Sequence, residues 1–107
     1  MRKTTEAMHR HFGKAITELR RRMDWSQAEL AQRIAWHGHD GSHPMEAPAI
    51  DLISKWEHGV KAPSRPYRVA LARIAKGRKL TEELAPIFLA ADSAWHVVSR
   101  IEMLHEN

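Results

Sequence analysis

The chain has no cysteine among its 107 residues. That excludes a disulfide framework and a thiolate metal site, and it fits a reducing cytoplasm. No apolar run approaches membrane-spanning length, and the first stretch, MRKTTEAMHRHFGKAI, lacks the apolar core of a secretory signal. A cytoplasmic protein with no membrane partner is the expectation. Alternating β-branched runs are missing as well, so there is almost no strand signal. Positive charge is scarce in one place: the last 27 residues hold one Lys/Arg against five Asp/Glu.

What is present complements these gaps. A hydrophobic fraction of 43% in a chain of this length fits one globular domain rather than two. Residues 1–80 carry 16 Lys/Arg and 8 Asp/Glu, a balance of +8, whereas residues 81–107 balance at −4. The body attracts polyanions and the tail is repelled by them. The chain therefore divides into a body at 1–80 and a helical extension at 81–107.

The apolar residues repeat at helical spacing, and five helices account for them. Phe12, Ala15, Ile16, Leu19 and Met23 form one stripe, with Arg20, Arg21 and Arg22 crowding the end where cations suit the helix dipole. Asp24-Trp25 breaks it. A second helix opens at SQAE, where Ser26 and Glu29 have capping-box spacing, and buries Leu30, Ala31 and Ile34 up to about Trp36. WHGHDGSHPMEAP reads as loop. Pro48 suits the first position of a third helix that Gly59 closes. In it Ile50, Ile53, Trp56 and Glu57 share a side, and Asp51, Ser54, Lys55 and His58 look away. Ser64 is placed to cap a fourth helix with Pro66 in its first turn. Its core contacts are Val69, Ala70, Leu71 and Ile74, and Gly77 ends it. Leu84, Phe88, Ala91, Trp95, Val98 and Ile101 stripe an acidic fifth helix that Pro86 or Asp92-Ser93 is able to split.

LRRRMDWSQAELAQRI, followed by ISKWEHGVKAPS and ALARIAKG, resembles the helix-turn-helix domain of the Cro/phage-repressor family. The resemblance covers roughly residues 12–77. It implies an all-α, compact five-helix lambda-repressor-like domain that binds double-stranded DNA as a homodimer and regulates transcription, most often by repression. It implies that the third helix, near 48–58, enters the major groove while the second lies across the backbone. By the family's pattern Ile50, Asp51, Leu52 and Lys55 are placed as base readers. Ser26, Gln27, Ser54, Lys61, Arg65 and Arg68 are placed on phosphates. Arg20 and Glu57 pair to hold the third helix, with Trp56 packed in the seam. Some of these residues have plainer readings: Ser26 as a cap only, Asp51 as a charge suited to a helix N-terminus, Ile50 as core.

The chain departs from the family in one respect. Gln27 and Ile53 are 26 residues apart, roughly a dozen more than is usual there. The insert falls at about 36–47, so the tight turn is replaced and packing must set the angle between the two helices. His37, His39, Asp40 and His43 in the insert are of metal-ligating type, but without a thiolate the segment reads as a linker or as a pH-sensitive wing. No metal or cofactor is expected. Glu18, Asp24 and the histidines form no nucleophile–base pair, and no phosphate-cradling glycine loop is present, so no catalytic residue is expected either. The acidic stripe is a dimer surface or a cover for the core. The alternative to a regulator is an antitoxin-like or adapter protein whose C-terminal helix binds a different protein.

Overall fold

The computed structural model describes residues 2–37 and 45–89, with side chains from Glu6 onward. Helix α1 (Arg2–Met23) buries Phe12, Ala15, Ile16 and Leu19 of the stripe its spacing predicts, while Met23 is half-buried against the core. Asp24 ends it in the left-handed region, at φ 57°. The Asp24 amide donates to the Arg21 carbonyl at 3.1 Å and the Trp25 amide to the Arg20 carbonyl at 2.9 Å. This paired closure is the Schellman motif, with an aspartate in the seat glycine usually takes.

Helix α2 (Gln27–His37) starts on a complete capping box. The Glu29 amide donates to Ser26 Oγ at 3.1 Å, and the Ser26 amide to Glu29 Oε1 at 3.4 Å. Helix α3 (Ile50–Glu57) begins two residues later than Pro48 allowed for. Pro48 is buried in an extended lead, and Ala49 is the N-cap, its carbonyl accepting from Leu52 at 3.0 Å and Ile53 at 3.2 Å. The proline's fixed φ serves the approach to the helix and not its first turn. Gly59, at φ 73°, ends α3 in a second Schellman closure: its amide reaches the Trp56 carbonyl at 3.1 Å, and the Val60 amide the Lys55 carbonyl at 2.9 Å.

Helix α4 (Arg65–Lys76) has Ser64 in the N-cap position and Pro66 in its first turn. The Ser64 hydroxyl makes no capping bond; its carbonyl accepts from the Arg68 amide at 2.9 Å. Ala70, Leu71, Ala72, Ile74 and Ala75 are buried, while Val69 is half-buried. Gly77 caps the helix in the right-handed region, at φ −75°. Thr81, wholly buried, returns its hydroxyl to the Ala75 carbonyl at 3.0 Å, and a 3-10 turn (Glu82–Leu84) leads into α5 (Ala85–Leu89). Pro86 sits in the first turn of α5, where a missing N–H costs nothing.

The fold is all-α and compact, with five helices and no strand among the described residues. Helix α3 packs on α1 and α2, α2 on α4, and α4 on α5, which closes back on α1. One core results, from Phe12 to Phe88, so Leu84, Ala85 and Phe88 share it with the residues before position 80. Each fully buried Leu, Ile or Phe contributes about 1.5–3 kcal/mol. No helix among the described residues is long and apolar enough to cross a membrane. His39, Asp40 and His43 of the insert, and Ala91, Trp95, Val98 and Ile101 of the tail stripe, lie outside the described residues.

Candidate nucleic-acid interface

Helix α3 is short, so its position depends on what holds it from behind. Ile53 and Trp56 enter the core at 0% and 1% exposure. The Trp56 ring meets Tyr67 of α4 at 5.2 Å between centroids. Behind them lies an ion pair. Arg20 Nε donates to Glu57 Oε2 at 2.8 Å and Arg20 Nη2 to Glu57 Oε1 at 3.1 Å. The third nitrogen, Nη1, donates to the Trp25 carbonyl at 3.1 Å. This bidentate fork uses the planar geometry that only arginine offers. The Glu57 carboxylate raises the Arg20 pKa above its ordinary value, against the opposing effect of burial.

Gln27 joins the same carboxylate: its Nε2 donates to Glu57 Oε1 at 3.0 Å. The family resemblance implies a phosphate contact for Gln27; the structure ties one amide N–H into the lock, so that α1, α2 and α3 meet at one carboxylate. Gly13 matters for the same seam. A Cβ there would lie 2.5 Å from the Trp56 carbonyl oxygen and 2.8 Å from that of Glu57. The backbones of α1 and α3 touch at a place only glycine permits. A lone glycine between Phe12 and Lys14, inside a helical pattern, was the available signal.

The opposite face of α3 is open. Ile50 (51% exposed), Asp51, Lys55 and His58 are exposed, and Ser54 is half-buried between them. Ile50 is therefore not core. Leu52 goes the other way: it is half-buried and packs against the core, which turns it from the outer face. His58, not among the expected site residues, extends this face. Its Nδ1 lies 2.7 Å from the Ser54 carbonyl oxygen and 3.4 Å from the Ser54 hydroxyl. A carbonyl only accepts, so Nδ1 is the donor in that contact.

Lys61 and Arg65 are exposed on the loop after α3 and the first residue of α4. Arg68, half-buried, donates to the Pro63 carbonyl at 2.8 Å and stands 5.9 Å from the Phe12 ring centroid, which braces that loop. Ser26 Oγ accepts as a cap, as above, and its O–H remains a donor. The arrangement can present three polar groups (Asp51, Lys55 and the imidazole of His58) and one apolar one from a rigid helix face, with cations beside it.

No family model, no curated protein and no solved structure matches this chain.

Proposed function

We propose that the protein is a sequence-specific double-stranded DNA-binding regulator, of repressor type, that lays the outer face of α3 in the major groove. The observation that carries this reading is the asymmetry of α3. Its inner side is held by two buried apolar residues and a carboxylate accepting from Arg20 and Gln27, while its outer side is exposed. An eight-residue helix is about 12 Å long, matched to a groove about 12 Å wide.

In this reading Lys55 donates to guanine O6/N7, Asp51 accepts from cytosine N4, and Ile50 meets a thymine methyl. Leu52 contributes only at its edge. Lys61 and Arg65 grip the backbone beside the groove, with Ser26, Gln27, Ser54 and Arg68 as further phosphate contacts. Homodimerisation is assigned to the C-terminal segment, and half-sites then fall about one DNA turn apart. No catalytic step enters the reading.

The test is selection of bound duplexes from a randomised pool at near-physiological salt. A two-fold symmetric motif is expected. Lys55→Ala is expected to relax preference at one base position and to cost about 1–3 kcal/mol on the preferred site, whereas Arg65→Ala weakens all sequences alike. No enrichment, with binding that salt abolishes, overturns the reading.

A further inference from the structure

Arg33 on α2, Arg73 on α4 and Arg78 just past α4 converge where α2 ends. Arg73 Nη1 donates to the His37 carbonyl at 3.0 Å. Arg33 and Arg78 stand over the Trp25 ring, 5.1 Å and 5.0 Å from its centroid. Arg78 Nη1 also donates to the Ile74 carbonyl at 3.3 Å. None of the three meets a carboxylate among the described residues. Their charge reaches His37: burial first, then Arg78, Arg33 and Arg73, hold its imidazole below the ordinary 6.5.

Three guanidiniums this close repel one another. The indole face offsets part of that for Arg33 and Arg78, and the carbonyl end of α2 for Arg73. Each fork has five N–H donors. Arg73 commits one to a carbonyl, Arg78 one and Arg33 none, so among the described residues most of these donors meet no acceptor.

Two further features say which anion. Between Glu57 and Glu82 the chain has seven Lys/Arg and no Asp/Glu, and α4 carries cations from its first residue to its last, over roughly 16 Å. A run of that length suits a repeating anion more than a single one. Trp36, 77% exposed, sits one turn from Arg33 on α2 and offers a flat apolar surface beside the cations. That combination fits a sugar–phosphate backbone, whose phosphates meet the cations and whose deoxyribose carbons meet the indole.

We propose that the Arg33–Arg73–Arg78 cluster is a second phosphate-binding surface for the backbone of duplex DNA, separate from the outer face of α3. The proposal rests on the DNA-binding reading for its partner but on none of the base contacts. It adds sequence-independent affinity at the far end of α4 from Lys61 and Arg65.

The test follows the His37 ring protons by NMR across a pH titration of the full chain. The chain is taken alone, with a short duplex of arbitrary sequence, with inorganic phosphate, and with a polyglutamate peptide at equal ionic strength. Duplex is expected to raise the His37 pKa, because backbone phosphates neutralise the field of the arginines. Arg33→Gln/Arg73→Gln is expected to abolish that response and to reduce the slope of log affinity against log salt by about two. Arg33→Lys/Arg73→Lys, which keeps the charge, is expected to restore the slope.

An unchanged His37 titration with duplex, or an unchanged salt slope in the folded double variant, overturns the proposal. So does an equal response to polyglutamate, which would make the partner an acidic protein segment, or a response to inorganic phosphate alone. Failure of the α3 reading shows separately: Lys55→Ala then leaves base preference intact while the cluster variant still loses affinity.

Discussion

Arg20, Arg21 and Arg22 at the end of α1 all meet carboxylates, whereas Arg33, Arg73 and Arg78 at the shared end of α2 and α4 meet none among the described residues. Arg20 holds Glu57, Arg21 holds Glu18, and Arg22 bridges Glu18 and Glu83 while also donating to the Leu80 carbonyl at 3.0 Å. Three consecutive cations are thus spent on structure, and their field is largely cancelled locally. The second trio is assembled from distant parts of the chain and keeps its field. A count of Lys and Arg does not distinguish the groups; their neighbours do. The +8 balance of the first 80 residues is therefore unevenly distributed in space. It is weak along the α1–α3 seam and strong at the α2–α4 end.

The largest effect that would sharpen this contrast is expected at the tightest point of the seam. Gly13→Ala places a methyl 2.5 Å from one carbonyl oxygen and 2.8 Å from another. Both atoms are backbone and cannot swing aside, so α3 must move off α1. A loss of about 2–3 kcal/mol is expected, in the range of overpacked sites, read as a lowered urea midpoint. An unchanged midpoint would mean the seam is looser than described.

Arg20→Ala comes next. Glu57 would keep only Gln27 while its side chain is 8% exposed. Breaking a fully buried pair costs about 3–5 kcal/mol, and with Arg20 itself 27% exposed roughly 2 kcal/mol is expected. Arg33→Ala is expected to leave stability unchanged or to raise it slightly, since it removes repulsion and, among the described residues, no carboxylate contact. The comparison breaks if the two variants melt alike.

Much of this fold is legible without coordinates, because it rests on local rules. The stripe on α1, the capping box at Ser26 and Glu29, and the Gly59 ending depend on residues within a few positions of each other. The Arg20–Glu57 contact spans 37 positions, and only the resemblance to a known motif pointed to it. Ile50 and Leu52 show where periodicity fails: they flank the buried line of an eight-residue helix, and the tilt of α3 against α1 and α2 decides which turns inward. The approach at Gly13, the third arm of the lock from Gln27, and the cluster around His37 all arise from helix packing. The lone glycine inside the α1 pattern hints at the first, and no spacing in the sequence encodes the other two.

A pH effect separates the two arginine groups in another way. His37 is held below 6.5 by burial and then by the three arginines. The unfolded chain takes up that proton near its ordinary value, the folded chain only at lower pH. Between those values the unfolded state binds more protons, so stability falls as pH drops from about 6.5 and levels off below the folded value. His37→Gln removes that share: the difference in urea midpoint between pH 7.5 and 5.5 is expected to shrink. Glu18 responds in a different window. Arg22 and then Arg21 hold it below 4.5, so its contribution is full above that pH and is lost only as pH falls through its folded value. If His37→Gln leaves the pH 7.5–5.5 difference unchanged, neither burial nor the arginine field depresses the imidazole.

The smallest effect is expected at Gly77, the glycine that ends α4. Gly77 lies at φ −75°, a conformation any residue adopts, and a Cβ there would have the Arg73 carbonyl oxygen at 3.5 Å as its nearest neighbour. Alanine fits that space and restricts the unfolded chain. Gly77→Ala is therefore expected to stabilise by about 0.5 kcal/mol, against the loss at Gly13. The opposite signs have one cause: at Gly13 two backbones need the missing side chain, and at the α2–α4 end nothing does. A lowered urea midpoint for Gly77→Ala would show that this end is packed as tightly as the seam, and the arginines there would then be less open to an anion than the lack of carboxylate partners among the described residues implies.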